Sequence, residues 1–246
     1  MNIPVIDTHV HLDEFPDPDR VIQESREANV LAIVAVGMDL VSNKKILELA
    51  RRYPGFVYPA IGYHPWKITL SGVRDNLQFI QEHLDQSVAL GEIGLDFKVP
   101  VEKELQYLVF QDLLSLAWKC KKPVIIHSRL AHEEAYELVR KNDLSQAIFH
   151  WYSGPLEVLK NLLLQGYSIS ATPALAYSPK HQEAVAVTPL KQLLLETDSP
   201  VRYQGVEARP AQVIQSLTEA ARIKRMDPEE VVSRTNQNAR DFFGII

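Results

Sequence analysis

The 246-residue sequence predicts an α/β fold: a single (β/α)8 TIM barrel spanning residues 1–246, with an extra C-terminal helix. Three observations point there. Eight short apolar, β-branched runs alternate with segments of helical periodicity. The runs are apolar throughout rather than alternating, which indicates a parallel sheet covered on both faces. Polar residues with ligand chemistry follow several different runs, and a barrel gathers such positions at one mouth, whereas a doubly wound open sheet, the structural rival, would spread them along an edge.

The first run, Pro4-Val5-Ile6, leads into Asp7-Thr8-His9-Val10-His11. A helix over 21–28 and a strand over 31–36 follow, then a helix over 46–50 and a strand at Val57–Ile61 that meets Gly62-Tyr63-His64-Pro65. Val88-Ala89-Leu90 points toward Glu92 and precedes a helix over 105–118. Val124-Ile125-Ile126 ends at His127, and a short helix over 135–139 separates it from Ala147-Ile148-Phe149, which ends at His150. A helix at Leu156–Leu164, a strand over 167–170 and a strand Leu193-Leu194-Leu195 shortly before Asp198 complete the eight. Asp227-Pro228-Glu229-Glu230 starts a final helix with Asp227 as N-cap and Pro228 at the first helical position. That helix is expected to close the barrel's outside over 228–243.

Composition narrows the function classes. With 46% hydrophobic and 23% charged residues the chain has the balance of a globular protein rather than a disordered one. A net charge of −5 argues against coating nucleic acid or anionic membrane through the overall field and leaves only local binding of a polyanion. Cys120 is the single cysteine, so there is neither a disulfide framework nor a cysteine zinc site, and a buried or lightly exposed structural thiol is expected there. No secretory leader and no bilayer-spanning run is read, so a cytoplasmic protein with no membrane association and no obligate protein partner is expected.

The chemistry begins at His9-x-His11. In an extended strand, side chains two residues apart share a face, so these imidazoles can lie side by side. A lone strand-terminal histidine such as His150 is explained equally well as a hydrogen-bonded structural residue. When Glu92, His127, His150 and Asp198 occupy comparable positions, a metal site explains the set better. Four imidazoles and two carboxylates suit zinc or manganese, or a two-metal site that also admits magnesium. Six ligands crowd one ion. Two ions about 3.5 to 4 Å apart can share a carboxylate and activate a water between them. Their charge exceeds that of the carboxylates, which favours an anionic substrate such as a phosphodiester.

Other residues read less sharply. His64 fits a substrate, catalytic or structural role, while His83, His132 and His181 are expected on the surface. Asp7 is expected to orient a ligand histidine and Asp96 to organise the loop after Glu92, unless either caps a turn. The mouth is expected to carry Phe15, Tyr63, Trp66, Phe97, Trp151, Tyr152, Tyr177 and Tyr203, with Lys67, Lys98, Arg129, Lys180, Arg202 and Arg209, a mixture suited to stacking on unpaired bases. Asp13, Glu14, Asp17, Asp19 and Glu207 on the same rim would oppose a polyanion.

The residues themselves then point to a family. Ile6-Asp7-Thr8-His9-Val10-His11, Gly62-Tyr63-His64-Pro65, Gly91-Glu92-Ile93-Gly94-Leu95-Asp96, Ile126-His127-Ser128-Arg129, His150-Trp151-Tyr152-Ser153-Gly154 and Leu195-Glu196-Thr197-Asp198-Ser199-Pro200 resemble the motifs of the TatD metal-dependent deoxyribonucleases, within the amidohydrolase-like hydrolases. Thr235-Asn236-Gln237-Asn238-Ala239-Arg240 resembles that family's closing helix. The resemblance implies two divalent ions held by His9, His11, Glu92, His127, His150 and Asp198. In it Glu92 bridges them and Asp198 handles the water's proton; apart from the resemblance, Arg129, His64, Trp66 and Ser153 are expected to meet substrate, with Asp198, Glu92 and His64 catalytic. The resemblance implies hydrolysis of DNA, single-stranded or from 3′ ends.

Departures from the family pattern fall on the substrate side. Trp66 stands where many relatives carry a second histidine, Ser170-Ala171-Thr172-Pro173 replaces a Ser-Phe-Ser-Gly type of turn, and Ala208-Arg209-Pro210 replaces a small polar residue and proline. These leave two other readings open: an amidase, deacylase or lactonase, because the same activated water attacks a carbonyl, and a non-catalytic barrel that keeps metal for stability.

Overall fold

A computed structural model describes residues 4–245. Its principal strands are β1 (Val5–Val10), β2 (Val30–Val36), β3 (Val57–Ile61), β4 (Ala89–Asp96), β5 (Val124–Arg129), β6 (Ala147–Phe149), β7 (Ser168–Ala171) and β8 (Leu193–Leu195). They lie side by side in chain order and pair in parallel. The two edges meet just past β8, where the Asp198 N–H donates to the His9 carbonyl at 3.0 Å and the His11 N–H donates to the Ser199 carbonyl at 2.8 Å. The TIM barrel is thus closed by backbone flanking the proposed ligands.

Around the barrel run α1 (Pro18–Glu27), α2 (Leu40–Arg52), α3 (Val73–His83), α4 (Lys103–Cys120), α5 (His132–Lys141), α6 (Leu156–Leu164), α7 (Pro179–Val187), α8 (Val213–Lys224) and α9 (Pro228–Phe243). A two-residue ribbon, β9 (Arg202–Tyr203) with β10 (Val206–Glu207), decorates the loop after β8. No helix among the described residues is long and apolar enough to cross a membrane.

The apolar strands are explained by two cores. In β2, Ala32, Val34 and Val36 face the barrel interior with Ile6, Ile125, Ile148 and Leu194. Ile33 and Ala35 face outward into the layer that packs Ile22, Ile46, Ile80, Phe110 and Leu159 of the helices against the strands. Period-two alternation with both faces buried leaves no polar face to read.

Three expectations change. The runs at the first, fourth and fifth strands do not stop before the ligands, since β1 continues to Val10, β4 to Asp96 and β5 to Arg129. His9, Glu92 and His127 therefore sit within strands, while His11, His150 and Asp198 follow theirs. Polar residues extend β1 because they find partners in and just past β8: the Asp7 carboxylate accepts from the Thr197 hydroxyl at 2.6 Å, and the Thr8 hydroxyl donates to the Leu195 carbonyl at 2.9 Å. Second, α9 does not simply lie outside. Val231 and Val232 join the outer core, but Ala239, Phe243 and the following Ile245 join the interior cluster and plug the barrel's N-terminal end. Asn236 locks this plug by accepting from the Ile6 N–H at 3.0 Å and donating to the Pro4 carbonyl at 2.9 Å. Asp227 caps α9 and Pro228 occupies its first turn, as the sequence predicts. Third, Cys120 is exposed, because it is the last residue of α4, beyond the buried Leu113, Leu114 and Ala117.

Truncating the plug tests this packing. Phe243→Ala should destabilise the protein by about 3–5 kcal/mol, the usual range for emptying a buried aromatic site. Urea unfolding measures it, and a cost below about 1 kcal/mol would show that the plug does not carry the interior.

Candidate metal centre

Glu92 stands at the middle of the site, 1% exposed. Gly62 at the end of β3 makes room for it, since a Cβ there would lie 2.5 Å from the Glu92 carbonyl oxygen. The two carboxylate oxygens face different imidazoles. Oε1 lies 2.7 Å from His127 Nδ1, 2.7 Å from His150 Nε2 and 3.2 Å from His64 Nε2. Oε2 lies 3.2 Å from His9 Nε2 and 3.6 Å from His11 Nε2. Asp198 completes the second side, with Oδ1 3.4 Å from His11 Nε2 and 3.7 Å from His9 Nε2. Its backbone adopts φ +50°, a left-handed conformation that Asp tolerates better than most residues.

All six sequence-predicted ligands therefore converge, and three overlapping triads among them and His64 bring ligand atoms within 4.8 Å of one another. Sequence reasoning placed His64 with the substrate; its Nε2 faces Glu92 inside the cluster, while its Nδ1 accepts from the Trp66 N–H at 3.1 Å. The donor set suits divalent ions, being imidazole nitrogen and carboxylate oxygen. His9 shows the same preference: its Nδ1 is buried with no hydrogen-bond partner among the described residues, and its Nε2 is aimed into the cluster.

The electrostatics follow from this crowding. Burial alone would raise the Glu92 carboxyl, but His150, His64 and His9 around it and the hydrogen bond with His127 hold it well below the usual range. Burial likewise disfavours a charged His11, yet the hydrogen bond and charge of Asp198 push it up to about 9. His64 goes the other way, down to about 4, because burial outweighs the charge of Glu92.

An outer ring of groups holds these side chains. Asp96 Oδ2 lies 3.2 Å from His127 Nε2 and accepts from the Trp66 indole N–H at 2.6 Å, while its Oδ1 accepts from the Lys98 N–H at 2.8 Å. Asp96 thus orients His127, a candidate ligand, as well as the loop. Glu196, to which the sequence alone assigns no role, is 1% exposed and lies 3.4 Å from His150 Nδ1. It also accepts from the N–H of Trp151, a bulky residue held at φ +42°. A carboxylate two residues before a candidate ligand at the end of an apolar strand was the available signal. Asp7 departs from expectation, because it bonds Thr197 and the His9 backbone N–H rather than a ring nitrogen.

The site opens into a cavity of about 540 Å³ lined by His11, His64, Trp66, Glu92, His127, Arg129, His150, Trp151, Ser153, Tyr177 and Asp198, among others. The predicted aromatic and basic rim is only partly present. Trp66, Trp151 and Tyr177 line the cavity, whereas Phe15, Tyr63 and Tyr152 are buried in the core. Among the described residues, Arg129 is the arginine or lysine that lines the cavity wall. Arg209 instead stacks on Phe15 and pairs with Glu24 of α1 at 3.3 Å and with the rim residue Glu207 at 3.8 Å.

The remaining histidines are not surface residues. His83 is half-buried with its Nδ1 2.9 Å from the Phe79 carbonyl, and His132 is half-buried edge-on to Tyr152. His181 is fully buried: Nδ1–H donates to the Tyr152 carbonyl at 2.8 Å and Nε2 accepts from the Thr172 N–H at 3.1 Å. It ties α7 to the loops after β6 and β7, a role invisible in a helix with few apolar residues. Burial lowers His181 to about 4, below the 6.5 of a free imidazole. The unfolded chain binds this proton first, so the stabilisation is complete above pH 6.5 and is lost as pH falls toward 4. His181→Asn should cost about 1–3 kcal/mol at pH 7 by leaving buried groups unpaired. In urea titrations of metal-free protein the gap from the parent should narrow by pH 4.5; a gap independent of pH would contradict the assignment.

A model of the TatD related DNase family matches residues 6–244. The chain belongs to that family. It is 32% identical to the human "Deoxyribonuclease TATDN3" over 98% of this chain and 95% of that protein. It is 30% identical to "Uncharacterized metal-dependent hydrolase MJ1582" of Methanocaldococcus jannaschii over 98% of each. The solved structure of YjjV, a TatD homolog from Escherichia coli, superposes with a TM-score of 0.90 at 29% identity, covering 100% of both chains. TatD-family membership and the eight-stranded barrel thus agree with the motif resemblance read from the sequence.

Proposed function

We propose that this TatD-family chain is a divalent-metal-dependent hydrolase that cleaves DNA phosphodiester bonds, acting on single-stranded DNA or 3′ ends in the cytoplasm. The observation that carries this reading is the division of Glu92: one carboxylate oxygen faces His127 and His150, the other faces His9 and His11. That arrangement suits a bridging carboxylate between two ions, zinc, manganese or magnesium, with Asp198 completing the second position. Divalent ions there would supply Lewis acidity and an activated water at neutral pH.

The chain's own residues divide the remaining work. Asp198, held ionised by its hydrogen bond with His11 in spite of burial, accepts the water's proton. Arg129 meets a phosphate oxygen at the cavity wall, and His64 contacts the same group from beside Glu92. Ser153 and Trp66 contact the sugar or base; the indole is half exposed with its edge fixed on Asp96, which presets a stacking surface. A cavity of about 540 Å³ suits a nucleotide or two, and this favours an unpaired end over duplex. The name of the human relative supports the same substrate.

The test is a 5′-labelled single-stranded oligonucleotide incubated with chelator-stripped protein reloaded with magnesium, manganese or zinc. Stepwise shortening from the 3′ end that a chelator abolishes is expected. Intact DNA with all three ions, alongside turnover of ester or amide substrates, would replace the nuclease reading by a carbonyl hydrolase.

A further inference from the structure

We propose that the two sides of this centre are built to unequal metal affinity, with Asp96 and Glu196 as positioning residues that make the His127–His150 side the tighter one. The inference rests on the two-ion reading above, but not on the nuclease reading. It comes from what stands behind each imidazole.

On the Glu92 Oε1 side, the ring nitrogens of His127 and His150 that face away from Glu92 each meet a buried carboxylate, whereas the outward nitrogen of His64 accepts from the Trp66 N–H. His127 Nε2 has Asp96 Oδ2 at 3.2 Å, and His150 Nδ1 has Glu196 Oε1 at 3.4 Å. His150 Nδ1 is buried and makes no hydrogen bond among the described residues, and Glu196 Oε1 at 3.4 Å is the group placed to receive its proton. Neither carboxylate is free to swing in as a ligand: Asp96 accepts from the Trp66 indole and the Lys98 N–H, and Glu196 accepts from the Trp151 N–H.

The Oε2 side is supported differently. Among the described residues, His11 Nδ1 meets only the neutral carbonyl of Val36 at 3.0 Å, and His9 Nδ1 has no hydrogen-bond partner. A carboxylate behind an imidazole fixes its tautomer and raises its basicity toward a metal, a carbonyl does so less, and an unpartnered ring nitrogen does neither. Two imidazoles with carboxylate support against none should therefore separate the two affinities. The consequence for function is a resident ion beside His127 and His150 and an exchangeable one beside His9 and His11.

Zinc titration of the metal-free protein against a chromophoric chelator tests this, with ion binding rather than turnover as the readout. The parent should bind in two resolved steps. Glu196→Gln keeps an oxygen for the Trp151 N–H but loses the charge, and should weaken the tighter step about 10- to 100-fold. The weaker step and the thermal midpoint of the metal-free protein should not move. Asp96→Asn should act on the same step, which covers the case of one variant failing to fold. His11→Gln should remove the weaker step and spare the tighter one. Two equal steps in the parent, or an effect of Glu196→Gln on the weaker step, on both equally or on neither, would overturn the proposal. Failure to bind a second ion at all would instead remove the two-ion reading beneath it.

Discussion

Glu92→Gln is expected to abolish binding of both ions and to stop turnover, an effect larger than that of any other single substitution in the barrel. The glutamine matches the glutamate in shape, so the change isolates charge. In the parent, Oε1 faces His127, His150 and His64 while Oε2 faces His9 and His11. An amide has one acceptor oxygen, so at least one set of imidazoles would face an N–H₂ group that donates where an ion should bind. Loss of an outer partner costs about 10- to 100-fold in metal affinity, and loss of the shared inner one should exceed that for both ions. Elemental analysis after dialysis and the oligonucleotide assay measure the two consequences. An ion still held at parental affinity would mean that Glu92 does not bridge.

Asp198→Asn should separate binding from chemistry. Asp198 reaches His11 and His9 at 3.4 and 3.7 Å and is held ionised by the His11 hydrogen bond against its burial. Asparagine retains an oxygen toward the cluster but cannot take a proton. Proton transfer by a positioned side chain is worth about 10²- to 10⁴-fold, and kcat should fall by that amount while the tighter zinc-binding step persists. Unchanged turnover would exclude Asp198 as the base, and would also be the result expected of a non-catalytic barrel that binds metal for stability.

The barrel was legible because its strands are buried on both faces. Runs such as Val124-Ile125-Ile126 carry no polar alternation to confuse them with surface strands, and eight of them leave few topologies open. Three helices were missed for an equally physical reason. α7 buries His181, Ala184 and Val185 and presents no strong apolar stripe, while in α3 the polar Asn76 shares the buried face with Ile80 and the apolar Val73, Leu77 and Phe79 are only partly buried. In α8 the buried face includes Ser216 and two alanines beside Val213 and Leu217, which dilutes the same signal.

The six ligand candidates were visible because each is an ionisable residue within or just after an apolar run. Their supports were not. Glu196 and Asp96 act through contacts between strands far apart in sequence, and nothing local marks a carboxylate as standing behind a histidine rather than capping a turn. Rim residues failed for the opposite reason: Phe15 and Tyr152 lie in loops by sequence, yet these loops fold back over the core and bury the rings. His181 combines both effects, a polar residue on a short helix whose partners come from two other loops.

The claim at the centre of this account is that one buried carboxylate joins two ions. Equilibrium dialysis of the chelator-stripped protein against saturating zinc, followed by elemental analysis, counts them directly. Two ions per chain in the parent and none in Glu92→Gln are predicted. One ion or none in the parent, or ions retained in the variant, would contradict it.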